Sequence, residues 1–158
     1  MPNVVWCDDG RKVVLVGQAP SRGGDTLRPF FGKSGGRLER LAGIPRGLLG
    51  DHFALANILQ RWRGSAGSKG DMFPIVMASR AAEELLRQLD GRRVVVLGRA
   101  AARAMGVPGV APAMTWRNHV PLEEIAVMPH PSGVSLWWND PANILAAAAF
   151  LGALKCAG

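Results

Sequence analysis

His130 is the residue of this 158-residue chain best placed to do chemistry. It stands between Pro129 and Pro131, whose fixed φ angles stiffen the backbone and set the direction of the ring. The run before it, Ile125-Ala126-Val127-Met128, reads as a buried strand, so His130 falls just beyond a strand end. A matching place occurs much earlier, where Val13-Val14-Leu15-Val16 reads as a strand that breaks at Gly17 into Gly17-Gln18-Ala19-Pro20-Ser21. In an α/β sheet, ligands and catalytic groups gather at the carboxyl ends of strands. If the two strands run parallel as neighbours, their loops face each other across one cleft. His52 and His119 have no comparable setting and read as surface or packing residues.

Several chemistries are excluded by spacing. The Gly17 loop lacks the three-glycine spacing that brings a helix amino terminus onto a pyrophosphate. Gly32-Lys33-Ser34 has the ending of a phosphate-binding lysine loop, but the upstream glycine would fall at Leu27, so a nucleoside triphosphatase is rejected. Cys7 and Cys156 are the two cysteines, too few for a four-thiolate zinc or iron-sulfur site, and they read as free thiols. No metal and no cofactor is expected.

The elements that must position these residues alternate between strand and helix. After the first strand comes a long loop over residues 18–34, rich in glycine and proline, of a length that is commonly functional. Ser34 reads as the N-cap of a short helix carried by Leu38 and Leu41 to Gly43. A second strand is expected over Phe53 to Leu59, and residues 64–70 form a Gly/Ser-rich stretch expected to be mobile. Residues 76–90 carry an amphipathic helix ended by Gly91, Arg93 to Leu97 a third strand, and Gly98 opens a short helix through Met105. Ile125 to Met128 is the fourth strand, and Asp140-Pro141 supplies an N-cap and a first-position proline for the last helix. The expected fold is a single α/β domain over residues 1–158, with three α/β/α layers around a mainly parallel four-stranded sheet. No internal repeat is visible.

Composition bounds the partners. Nineteen Lys and Arg against 12 Asp and Glu leave a formal charge of +7, which favours a polyanionic partner, nucleic acid first and an anionic membrane second. An arginine-rich coding bias of the host is the bland alternative. The longest apolar stretch, Ile144 to Leu154, is well short of the roughly 20 residues a spanning helix requires, and reads as a buried helix. No basic segment followed by an apolar run opens the chain, so a cytoplasmic location is expected.

Five pieces in order carry a resemblance. Gly17-Gln18-Ala19-Pro20-Ser21, then Asp25, then Arg28-Pro29-Phe30-Phe31-Gly32-Lys33-Ser34-Gly35, then Asn57, and finally His130-Pro131-Ser132-Gly133 resemble the uracil-DNA glycosylase superfamily over most of the chain. The resemblance is nearest to branches with a Gly-Glu-Ala-Pro-Gly first motif. It implies an enzyme that flips a nucleotide out of DNA and hydrolyses the bond between base and sugar. In that scheme His130 donates a hydrogen bond to the departing base, Phe30 stacks on it, Asn57 reads its edge, and Gln18 offers backbone or side chain to it. Phe30 as a core residue and Asn57 as a strand-end residue bonding local backbone are the alternatives. The segment Gly133-Val134-Ser135-Leu136 matches the place where the family inserts an apolar wedge into the base stack, with Val134 at the matching offset and Leu136 the larger side chain. Ser21, Ser34, Ser132 and Ser135 are implied phosphate ligands, with Lys33 and Arg37 supplying charge. Trp137 and Trp138 either meet DNA or pack.

The departures are as informative as the matches. Where efficient uracil enzymes carry a water-positioning aspartate, this chain has Ala19, which leaves Asp25 as the best carboxylate in the loop. Branches that share the alanine and the Arg-Pro-Phe segment usually hold an iron-sulfur cluster on four cysteines, which two cysteines cannot do. Where a tyrosine excludes thymine, this chain has Ser21, and it contains no tyrosine at all. The expected activity is that of a monomeric, metal-free, monofunctional DNA glycosylase whose pocket accepts uracil or a 5-substituted pyrimidine, in repair or in defence against modified phage DNA. Two rivals stand beside it: a non-catalytic DNA or modified-base binder of the same fold, and an unrelated α/β hydrolase or transferase acting on a small anion.

Overall fold

Four apolar runs become the parallel core of one sheet: β1 (Val14–Gly17), β2 (Ala54–Asn57), β3 (Arg93–Leu97) and, after a short edge strand β4 (Arg117–His119), β5 (Leu122–Met128). The computed structural model, which describes residues 4–20, 29–30, 32–64, 72–108, 113–132 and 136–156, orders them β2-β1-β3-β5-β4. β1 pairs in parallel with β2 and β3, β3 pairs in parallel with β5, and β4 lies antiparallel against β5.

Side chains alternate across the pleat with the period of two that a strand imposes. Val14, Val16, Val94, Val96, Ile125 and Val127 face α3 (Ile75–Gln88) and α4 (Arg99–Ala104). Leu15, Leu55, Val95, Leu97 and Met128 face α1 (Lys33–Ala42) and α5 (Pro141–Leu154). Both faces are therefore buried, which is why these strands are nearly continuous apolar runs. The result is the three-layer, mainly parallel α/β domain that the strand and helix alternation implies.

The chain order makes the functional end. From β1 the chain goes to β2 on one side, then returns to β3 on the other side of β1. This reversal is a topological switch point, where loops leave the carboxyl ends in opposite directions and open a crevice between β1 and β3. The Gly17 loop sits at that crevice, and the strand leading to His130 is next in the sheet.

Several boundaries differ from the sequence expectation. The sheet has five strands instead of four, because Arg117-Asn118-His119 is a polar edge strand with no apolar alternation to announce it. Ser34 is not the N-cap of α1: Gly32 is, with φ 122° and no side-chain cap bond, so the helix starts at Lys33. Glycine alone reaches that conformation without strain, and it turns the chain one step sooner than a serine cap would. β2 ends at Asn57, although Ile58 and Leu59 still donate to the carbonyls of Gly17 and Gln18 at 3.0 and 2.8 Å. A four-residue helix α2 (Leu49–His52) and a 3-10 turn (Leu136–Asn139) are too short to show a period in the sequence. At α5 the expected cap is present, with Asp140 accepting from the Ala142 amide at 2.9 Å and Pro141 in the first turn. The Gly/Ser-rich stretch lies largely outside the described residues. Among the described residues, no helix is long and apolar enough to cross a membrane.

Candidate active site

Parallel register puts Gly17 of β1 directly beside Asn57 of β2 at the carboxyl edge. Gly17 has no side chain for a reason that is visible in three dimensions. A Cβ there would lie 2.8 Å from Asn57 Oδ1 and 2.8 Å from Cε1 and Cζ of Phe30. The bare backbone is thus the floor on which the Asn57 amide and the Phe30 ring meet. Asn57 is 5 % exposed, and with Glu39 it is one of two buried polar side chains among the described residues. Glu39 is accounted for structurally, since its carboxylate accepts from the Leu49 amide at 3.1 Å and ties α1 to α2. Asn57 instead carries its amide, which has both a donor and an acceptor, at the carboxyl edge of the sheet beside Gly17.

Phe30 is held there at a conformational cost. Its φ is +60°, a left-handed backbone that a bulky residue rarely adopts and that costs about 1–3 kcal/mol. α1 packs against its backbone so closely that any Cβ on Gly35 would collide with the Phe30 carbonyl oxygen. Phe30 is half-buried and packs against the α1/α5 side of the core, with its backbone held by α1.

The other half of the cleft is built on Gly98, which follows β3 with φ +93°. A Cβ there would lie 3.3 Å from His130 Cβ and 3.5 Å from both His130 Cδ2 and Gln18 Nε2. The Gln18 amide and the His130 ring therefore converge over a second bare backbone. At His130 the Ser132 amide donates to Nδ1 at 3.1 Å. A backbone N–H can only donate, so Nδ1 is the acceptor and the neutral ring carries its proton on Nε2. The turn itself is fastened from outside: the Trp138 indole donates to the His130 carbonyl at 2.7 Å, and Arg37 Nη1 donates to the Ser132 carbonyl at 3.4 Å.

The remaining sequence candidates distribute as follows. Ala19 is half-buried and packs on the α3/α4 side of the core. Lys33 is exposed and Ser34 half-buried in the first turn of α1, beside the cleft rather than in it. Leu136 is 80 % exposed at the head of the 3-10 turn. Trp138 is buried, which is the packing role, and its indole N–H is committed to the His130 carbonyl. Asp25, Ser21, Gly133, Val134 and Ser135 lie outside the described residues. His52 and His119 are bound to the carbonyls of Cys156 and Met105, at 2.6 and 2.7 Å, in keeping with packing roles.

Among the described residues, Arg92 pairs with Asp8 at 2.7 Å, Arg93 with Glu124 at 2.9 Å, and Arg87 with Glu84 on α3. At the carboxyl ends, Lys33, Arg61, Arg63 and Arg99 are exposed and form no ion pair among the described residues. Cations of this kind around a cleft are what a phosphate backbone needs. Replacing Arg61 and Arg63 together by alanine should weaken DNA binding about equally for all sequences, and should reduce the slope of log Kd against log salt by about 1 for each phosphate no longer neutralised. An unchanged slope in a salt titration would remove these residues from the DNA surface.

Gly98, beyond its place as a helix lead-in, and the exposed pair Arg61 and Arg63 that follows β2 stand outside the sequence expectation. The arginines carry a usable signal, a basic-aromatic-basic tripeptide just beyond a strand end. Gly98 carries none, because its role lies in what crosses it.

The carboxyl edge of the sheet at the switch point thus gathers the Gln18 and Asn57 amides, the Phe30 ring and the His130 imidazole. The family model of the uracil DNA glycosylase superfamily matches residues 4–152, and the chain belongs to that family. No curated protein matches the chain. The family is one of DNA glycosylases, hydrolases that excise bases from DNA during repair.

Proposed function

We propose that this protein is a monofunctional DNA glycosylase that flips a pyrimidine nucleotide out of DNA and hydrolyses its N-glycosidic bond, leaving an abasic site without strand cleavage. The observation that carries the reading is the convergence of Phe30 and Asn57 over Gly17, and of Gln18 and His130 over Gly98, at the carboxyl ends of adjacent parallel strands. Each side chain has a task in that reaction. Phe30 stacks on the extruded base, an interaction worth about 1–3 kcal/mol. Asn57 presents its amide to the Watson–Crick edge, and Gln18 closes the other side.

Cleavage of the glycosidic bond leaves positive charge on the sugar and negative charge on the departing base. His130, with Nδ1 occupied by the Ser132 amide, offers Nε2–H to the pyrimidine 2-oxygen as that charge grows. A neutral donor fits this task because no charged ring has to be kept in the pocket. Asp25 is the group proposed to orient water or balance charge on the sugar. Leu136, with Val134, fills the gap left in the base stack. The enzyme acts as a monomer without metal or cofactor.

The substrate class is read from Ser21, a small residue at the motif position where the family's efficient uracil enzymes carry a tyrosine against the pyrimidine 5-position. The pocket accepts uracil and 5-substituted pyrimidines, hydroxymethylated or glucosylated phage bases among them, which gives a role in repair or in antiphage defence. The test is release of base from duplexes carrying uracil, thymine, 5-hydroxymethyluracil or glucosylated hydroxymethylcytosine, read by mass spectrometry. Release of a 5-substituted base is expected, and activity confined to uracil would sink the broad-substrate reading. A gel shift with no abasic product on any duplex would favour a non-catalytic binder, the reading that Ala19 keeps open.

A further inference from the structure

We infer that Arg37 and Trp138 are positioning residues for His130, holding the His130-Pro131-Ser132 turn from outside so that the ring is fixed in one tautomer. The inference rests on the glycosylase reading for its catalytic consequence, but its structural content stands independently. The turn has a carbonyl at each end, and each is held by a different side chain. Trp138, from the 3-10 turn that follows, donates its indole N–H to the His130 carbonyl at 2.7 Å. Arg37, from the second turn of α1, donates to the Ser132 carbonyl at 3.4 Å. The two holders also bear on each other, with the Arg37 guanidinium carbon 5.2 Å from the centre of the Trp138 ring.

The consequence reaches the ring through the bond at Nδ1. With both carbonyls fixed and Pro131 stiff between them, the Ser132 amide is left pointing back at His130 Nδ1, at 3.1 Å. A neutral imidazole has two tautomers of similar energy in water, and a donor at Nδ1 selects the one protonated on Nε2. Loosening either holder frees the turn, lets the Ser132 amide swing away, and allows the proton to settle on Nδ1. The ring then has a lone pair where the departing base needs a donor.

Arg37 has a competing role. It also borders a groove of about 310 Å³, with Arg40, Leu41, Trp138, Ile144 and Ala148, where its outer N–H groups could meet a DNA phosphate. The two roles separate cleanly in experiment. A phosphate ligand contributes to affinity and its salt dependence, whereas a positioning residue contributes to the rate of the bound complex.

The experiment pairs two substitutions with two readouts. Trp138→Phe keeps an aromatic ring and removes the N–H, and Arg37→Ala removes the guanidinium. In each, the imidazole nitrogens of His130 are followed by long-range nitrogen-proton NMR, and single-turnover excision is followed alongside DNA affinity at several salt concentrations. Wild-type protein should show one fixed neutral tautomer with the proton on Nε2. Both variants should show that tautomer averaged or replaced, with excision from bound DNA slowed roughly 10- to 100-fold, the scale of a small misplacement of a catalytic group. Arg37→Lys, which keeps the charge without the planar fork, should restore affinity but not the tautomer. Retention of the fixed Nε2–H tautomer in both variants would overturn the proposal. So would an Arg37→Ala protein that excises at the wild-type rate but binds with a shallower salt slope. If wild-type protein excises nothing, the glycosylase reading falls, while the tautomer measurement still decides whether Arg37 and Trp138 hold the ring.

Discussion

Replacing His130 by alanine should slow single-turnover excision by roughly 10²- to 10³-fold, the effect typical of removing one donor from the site of developing negative charge. The substitution is unusually clean because the turn is fastened through backbone. Trp138 donates to the His130 carbonyl and Arg37 to the Ser132 carbonyl, and alanine keeps both acceptors. What disappears is the ring with its polar contacts, the bond from the Ser132 amide among them. With both carbonyl ties to the turn kept, the fold should survive and the melting temperature should move by only a few degrees. Affinity for DNA should hardly change, since phosphate neutralisation dominates it and the imidazole has no part in that. A rate within threefold of wild type, measured on the best substrate of the panel, would take His130 out of the chemistry.

Gly17→Ala should be nearly as damaging to activity, for a different reason. The new methyl group would lie 2.8 Å from Asn57 Oδ1 and from two carbons of the Phe30 ring, while carbon atoms pack best at about 3.5–4.0 Å. Something must move by nearly an ångström. The Asn57 amide can rotate, whereas α1 at Gly35 fixes the Phe30 backbone and leaves the ring only its own torsions with which to yield. If Asn57 and Phe30 hold the base as proposed, displacing them by that much should lower kcat/KM by roughly 10²-fold. The strand itself should survive, because β1 pairs through backbone on both sides and alanine is a better strand residue than glycine. Gly152→Ala is the matched control: no atom lies within 4 Å of the site of its Cβ, so activity should be unchanged. If Gly17→Ala cleaves as fast as wild type, the floor of the cleft has been misassigned.

The elements are legible wherever local pattern determines them. Arg93–Leu97 agrees with its expected bounds to the residue, and α5 starts at Asp140-Pro141 with its expected cap, because both depend on nearest neighbours along the chain. Arg117–His119 is invisible in the sequence because an edge strand pairs on one side, and three polar residues carry no period. Ser34 has the look of a cap because serine before an apolar helix is a good one, and only the backbone angle of Gly32 shows that the chain has already turned. At the site, His130, Asn57, Phe30 and Gln18 are marked by their motifs, and the structure brings them together at one edge. Arg37 is implied as a phosphate partner, but its nearest commitment is to a carbonyl in a turn far along the chain.

By itself, the sequence determined the alternation of strand and helix, the strand ends where function collects, and the motif order that marks the superfamily. These are properties of short segments, set by side-chain period, glycine and proline. Tertiary structure alone decided why Gly17 and Gly98 must be bare, which nitrogen of His130 carries the proton, and that Trp138 and Arg37 serve its loop. Each of those depends on what packs against a residue from a distant strand or helix, and the switch in strand order at β1 and β3 brings those strangers together.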